Sequence, residues 1–304
     1  MTKRLSDYAF GQAVDFMNVK ARPLERAMLA YEFGQGSAET VVEELIQYRN
    51  EDGGFGYGLE PDLRTAASSA YATTIAMQYL VLLPDEAAKE PAEEALAYFR
   101  STYDAAGQGW DLIPEAAEEA PRAPWWGYES VRTRPHWGNA NAEIAGYFLR
   151  YGSESDRNFA EALTETAIQK LEEVKQLEFH ELLCYLRLAR FVASEQYGRM
   201  EPWLQASVQS NVVTDPAKWT GYGLQPIKVV TSPDSPYADM LSEAVQANLD
   251  FAVSKQTPEG CWMPEWSWGQ DEKEWAEAHT EWCGVLTLEK LRVLKAFGRI
   301  ERYS

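Results

Sequence analysis

Apolar residues in this chain recur at helical spacing, and almost nowhere do they alternate as a half-buried strand requires. Val41, Val42, Leu45 and Ile46 form one stripe at i, i+1, i+4 and i+5. Similar patterns predict helices over about 5–19, 22–34, 68–83, 87–103, 138–151, 156–174, 179–194, 198–211, 237–254 and 275–297. With the Val41–Ile46 stripe and a short apolar element ending near Val230, that makes twelve helices in six hairpins. Pro226 and Pro233 make the second helix of the fifth hairpin doubtful, because proline removes a donor and clashes with the preceding turn. The loops alternate in length. Long ones, 51–65, 104–137, 212–222 and 255–274, lie inside hairpins, and short ones, 35–36, 83–86, 152–155 and 194–197, lie between them. The expected fold is all-α.

Stacked helical hairpins either run on as a solenoid or close into a ring. The helix over 68–83 opens with Ser68, Ser69, Ala70, Ala72, Thr73, Thr74 and Ala76. Side chains that small let helices approach closely, as an inner barrel demands. The expectation is therefore an α/α toroid, an α6/α6 barrel, built as a single domain over 1–304, with every long loop at one end as the mouth of a pocket.

Lys and Arg number 28 against 47 Asp and Glu, a net charge of −19 that repels nucleic acid and anionic lipid. No apolar run reaches the roughly 18 residues of a membrane span, and the first residues lack the apolar stretch of a signal peptide. Cys184, Cys261 and Cys283 are odd in number and far apart, so a disulfide framework is not expected and a reducing cytoplasm fits. No phosphate-binding glycine motif and no nucleophile elbow occurs. No cofactor is expected, and the expected partner is a small molecule, isoprenoid-like or sugar-like.

Two loops carry the same local text. Tyr48 to Phe55 (YRNEDGGF) and Lys255 to Trp262 (KQTPEGCW) each place a turn, a glycine and an aromatic before a helix of small residues, and Ala105 to Trp110 is a weaker copy. This resembles the QW-type repeats of the terpenoid cyclase and protein prenyltransferase superfamily. The resemblance covers about half the chain and implies an α/α toroid. It does not extend to the chemistry. The Asp-x-Asp-Asp acid of class II cyclases and the Asp-Asp-x-x-Asp metal motif of class I synthases are absent. Cys261 and His279 match the residue types of a prenyltransferase zinc site, but its Asp-x-Cys pair is missing, so no metal is expected.

Three stretches carry the candidate site. The first holds Phe55, Tyr57, Glu60, Asp62 and Arg64, in which either carboxylate can serve as a general acid or base tuned by the guanidinium. The alternative is a salt bridge, with Asp62 as a helix cap. The second runs from Trp126 and Tyr128 through His136, Trp137, Asn139 and Asn141 to Glu143, with Asn139 as the expected helix cap. The aromatics suit a flat ligand face, and the amides and carboxylate suit hydroxyl or amine groups; the alternative is a loop packed on its own aromatics. The third combines Glu265, Trp266 and Trp268 with His279, Glu281 and Trp282, where Trp275, His279 and Trp282 share one helix face. His279 is a base oriented by a carboxylate, or a core histidine. Trp219 and Tyr222 add aromatics from a further loop. His180 and Cys184, far from the long loops in sequence, read as core. The leading expectation is a ligand pocket in a cyclase-like toroid. The rivals are a carbohydrate-active barrel pairing Glu60 or Asp62 with Glu265, and a non-catalytic binding module.

Overall fold

The computed structural model describes residues 2–134 and 136–303. Its α-helices are α1 (Asp7–Lys20), α2 (Pro23–Phe33), α3 (Ala38–Leu45), α4 (Ala70–Leu80), α5 (Asp85–Ser101), α6 (Tyr128–Arg132), α7 (Gly138–Tyr151), α8 (Arg157–Val174), α9 (Phe179–Leu188), α10 (Ser194–Asn211), α11 (Pro226–Val229), α12 (Ser242–Ser254) and α13 (Glu272–Ala296). Among the described residues there are isolated β-bridges but no β-strand, and no helix is long and apolar enough to cross a membrane.

Local chemistry sets the helix ends. Ser6 and Ser69 cap α1 and α4 by accepting the backbone N–H of Ala9 and Ala72. Pro23 opens α2, where its missing N–H costs nothing, and Gly34 ends it. Pro226 opens α11, which runs for four residues. The segment 104–137, expected to be loop throughout, contains the short α6 and two 3-10 turns.

The chain divides into two compact units, one made of Val42–Asn211 and the other of Met1–Val41 with Val212–Ser304. In the first, α7 is the central helix and packs on α4, α5, α8 and α9. It is buried on nearly all sides, from Ala140 through Phe148, as a helix packed among four others must be. Its glycines let α9 come close. A Cβ on Gly138 would stand 2.3 Å from the Tyr185 ring.

In the other unit, α13 packs against α1 and α2. Leu5 and Ile300 form a parallel bridge, with Leu5 N–H donating to Arg299 O at 2.7 Å. The buried Arg299 guanidinium bonds Asp250 and Gln246, each at 2.6 Å.

The repeated text has repeated geometry. Asn50 N–H donates to Gly54 O and Gly53 N–H returns to Asn50 O; Thr257 N–H donates to Cys261 O and Gly260 N–H returns to Thr257 O. Gly53 and Gly260 both have positive φ, 85° and 94°. Two residues on, in each case, is an aromatic whose buried N–H is taken by a helix side chain, Phe55 by Thr73 Oγ1 (3.0 Å) and Trp262 by Thr287 Oγ1 (3.1 Å). In the weaker copy Trp110 N–H goes to Asn141 Oδ1 at 3.0 Å. The indoles of Trp110 and Trp262 then donate to carbonyls of the preceding helix, Phe99 O and Ala252 O. These aromatics anchor each loop into a hairpin.

Candidate functional site

The unit Val42–Asn211 contains a pocket of about 610 Å³. Its walls come from the turn at Asp104–Trp110, from the segment ending in Asn139, and from the start of α9. Four expected residues meet there, His136, Trp137, Asn139 and Asn141, together with Asp104, Asp111, Arg132, Arg134, Glu178 and His180. His180, expected in the core, lines the pocket. The reason is the cap of α9: Glu178 accepts the backbone N–H of His180 and its Oε1 lies 2.7 Å from the His180 ring Nδ1. Burial pushes the Glu178 carboxyl up, but the His180 hydrogen bonds outweigh it and its pKa lies below the usual range. Glu181 goes the other way. Burial raises it, against the Gly138 N–H at 2.7 Å and the His136 ring at 3.7 Å.

Asn139 does not cap α7; no side chain does. Its Oδ1 instead lies 3.8 Å from Cys184 Sγ, which in turn lies 3.4 Å from Glu143 Oε1. The Glu143 carboxylate, 1% exposed, is the hub of a polar wall next to the pocket. Its Oε2 accepts from the Tyr147 hydroxyl at 2.8 Å and Gln78 Nε2 at 3.1 Å, and faces Arg187 Nη1 at 3.4 Å. Tyr71 belongs to the same neighbourhood. Burial keeps its phenol protonated, and the charges of Glu60 and Glu143 reinforce this. Its ring packs on Trp126, centroids 4.5 Å apart. Glu143 was legible as a candidate; Tyr71, Gln78, Cys184 and Arg187 were not, because none belongs to a motif.

Glu60 and Asp62 are buried and, like Arg64, have partners within the fold. Asp62 caps no helix, since Ser69 does that work for α4. Phe55 is core, while Tyr57 is 53% exposed at φ 53°. Tyr128 N–H bonds the Glu118 carboxylate.

In the other unit, Trp219 and Trp268 are buried, and Trp219 donates to Val213 O at 2.6 Å. Trp266 packs edge-on to Trp282 (5.0 Å) and to the outward Tyr222 (5.9 Å), so these rings largely satisfy one another. His279 packs on Trp275 at 5.5 Å and its Nδ1 lies 3.8 Å from Cys283 Sγ; burial lowers its pKa. Glu281 has a partner within the fold. Glu265 accepts from Gln225 Nε2 at 3.0 Å, and burial raises its carboxyl against the pull of Lys290 and Lys228. Lys228 pairs with Glu289 at 2.9 Å. Burial, with the Lys228 charge, brings Lys290 down to about 8.

Among the described residues, no group of three or more His, Cys, Asp and Glu side chains is arranged to hold a metal ion. The chain matches no family model, no curated protein and no solved structure.

Proposed function

We propose that this chain is an α/α toroid in which the pocket of the unit Val42–Asn211 binds a small hydroxylated, sugar-sized ligand. The toroid reading rests on the three loop copies with the same anchoring hydrogen bonds, and on their likeness to the QW-type repeats of terpenoid cyclases and prenyltransferases. The ligand reading rests on the pocket wall. Its volume of about 610 Å³ lies in the ordinary small-molecule range of about 300–1,000 Å³. Asp104, Asp111, Glu178, Asn139 and His136 line the pocket together with Trp137. An isoprenoid chain would strip water from those polar groups and return no hydrogen bonds, which costs roughly 1–3 kcal/mol for each group left unpaired. Hydroxyls would satisfy them while Trp137 covers an apolar ring face.

The test is calorimetric titration with glucose, maltose and farnesol. The reading expects a sugar to bind, and Trp137→Ala and Asp104→Asn each to weaken it about tenfold. Tight farnesol binding with no sugar binding would overturn it.

A second reading is acid–base hydrolysis of a glycoside by Glu60 and Glu143, two buried carboxylates of the same unit. It requires release of nitrophenol from a 4-nitrophenyl glycoside, lost in both Glu60→Gln and Glu143→Gln. Sugar binding without turnover on a full panel of such glycosides leaves the binding module as the function.

A further inference from the structure

Two histidines, His136 and His180, line the pocket of the unit Val42–Asn211, and each has a glutamate at its ring. Glu178 Oε1 lies 2.7 Å from His180 Nδ1, and Glu181 Oε2 lies 3.7 Å from His136 Nδ1. The two pairs are tied to each other. Glu178 caps α9, and His180 and Glu181 lie in its first turn. Glu181 also accepts the backbone N–H of Gly138 at 2.7 Å, which holds the segment carrying His136 against that turn. The Phe179 ring packs on the His180 imidazole, centroids 3.8 Å apart, and limits its rotation. Both imidazoles remain reachable, with 42% of the His180 side chain and 38% of the His136 side chain accessible.

The Glu178–His180 contact fixes a tautomer. Despite burial, hydrogen bonds to His180 hold the Glu178 carboxyl below the usual range, so near neutral pH it only accepts. Nδ1 therefore carries a proton, and Nε2, across the ring, is where His180 exchanges one. At the other pair, burial makes the Glu181 charge costly, and a protonated ring beside it offsets that cost. Of the side-chain types lining the pocket, only imidazole ordinarily changes charge near neutral pH. The other charges of the wall have local work. Asp104 accepts the N–H groups of Ala106 and Gly107, each at 2.9 Å, Arg132 pairs with Glu129 at 2.9 Å, and Arg134 donates to Trp125 O.

One imidazole set to take a proton and one set to give a proton thus share a single cavity. We propose that His180 and His136 are the base and the acid that interconvert the anomers of a reducing sugar. This rests on the sugar reading of the same pocket and adds a reaction to it. The steps balance within the ligand and the two rings. His180 Nε2 takes the proton of the anomeric hydroxyl while protonated His136 gives one to the ring oxygen. The electron pair of the O–H bond becomes the second bond of a carbonyl, and the pair of the breaking bond between C1 and the ring oxygen passes to that oxygen. The open-chain aldehyde turns about its C1–C2 bond and closes on the other face, and each proton returns to where it came from. No water, oxidant or reductant takes part.

The full chain is mixed with fresh α-D-glucose and, separately, with β-maltose, and the approach to anomeric equilibrium is followed by polarimetry. Binding of the same sugars is measured by calorimetry. The acceleration is expected to saturate with sugar and to exceed that of free imidazole at matched concentration by about a hundredfold. Methyl α-D-glucoside, which cannot open, is expected to inhibit it. His180→Gln and His136→Gln are each expected to lower kcat about a hundredfold while the sugar still binds, which shows that they fold. Glu178→Gln, a change at a positioning residue, is expected to lower kcat about tenfold with KM unchanged, and it covers the case in which a histidine variant fails to fold. Sugar binding without acceleration overturns this proposal and leaves the sugar reading standing; neither binding nor acceleration overturns both. Acceleration that methyl α-D-glucoside leaves untouched, or that survives in folded His180→Gln or His136→Gln, also overturns it.

Discussion

The Tyr147 hydroxyl lies 2.8 Å from Glu143 Oε2, one helical turn away on α7, and both residues are almost wholly shielded from water. A buried carboxylate is tolerated only if its lone pairs are filled. Here the filling comes from Tyr147 on α7, Gln78 on α4, and Arg187 and Cys184 on α9. The hub thus ties three helices together. Tyr147→Phe removes one of several donors and is expected to cost about 1–2 kcal/mol. Glu143→Ala strips every donor of its partner at once and is expected to cost about 3–5 kcal/mol. Urea unfolding midpoints of the two variants check both the size and the order.

Glycine is required in the repeated turns for two reasons at once. Gly53 and Gly260 have positive φ, and a Cβ would stand 2.5 Å from Glu94 O in one and 2.3 Å from Gln12 O in the other. Gly298, at φ 60°, has nothing within 4 Å of its would-be Cβ. Gly53→Ala and Gly260→Ala are expected to lose about 3 kcal/mol or more, since backbone must move, whereas Gly298→Ala loses about 1 kcal/mol from φ alone. Thermal unfolding of the three variants side by side would show whether the close approach, rather than φ, is what holds the loops.

The all-helical class was legible because burying one face of a helix leaves a period in the sequence. The prolines at 226 and 233 made the second helix of the fifth hairpin doubtful, and the helix found there, α11, has four residues. Within the site, legibility ended where position depends on partners distant in sequence. Phe55, Trp219 and Trp268 read as pocket aromatics, yet they are buried. A single sequence places an aromatic at a loop–helix junction but cannot say on which side of the junction its ring falls. His180 read as core, and it faces the pocket because Glu178 caps α9 and bonds its ring. Arg187 and Tyr71 carry no motif at all, since their role arises only from the helices around them.

Lys290 is expected to make stability rise with alkaline pH. Burial and Lys228 lower its pKa in the folded chain to about 8, while an unfolded lysine titrates near about 10.4. Between those two values the unfolded chain binds more protons than the folded one, so stability increases with pH there. Below about 8 both states are protonated and the full penalty of the buried charge applies. Lys290→Met removes that penalty. It should be more stable than wild type at pH 7, and the gap should close as pH rises from about 8 toward 10. Equal pH profiles for the two proteins in chemical unfolding would contradict the burial of that ammonium.

Cys261 is expected to ionise well before an ordinary thiol. The neighbouring Cys283 thiol favours the Cys261 thiolate, and Thr257 Oγ1, 3.3 Å away, adds to this. Cys283 is driven the other way, by the neighbouring Cys261 sulfur and by its own burial. The two cysteines therefore divide one proton unequally. Cys261 follows the turn at Gly260, and Cys283 lies on α13 one turn from His279. Titrating thiolate absorbance near 240 nm should show one early transition, close to the acid side of neutrality. Cys283→Ala should shift that transition upward toward the usual value of about 8.5, and Cys261→Ala should abolish it. A transition that survives Cys261→Ala would assign the acidic thiol to the wrong cysteine, and one unmoved by Cys283→Ala would show that the neighbouring thiol is not its cause.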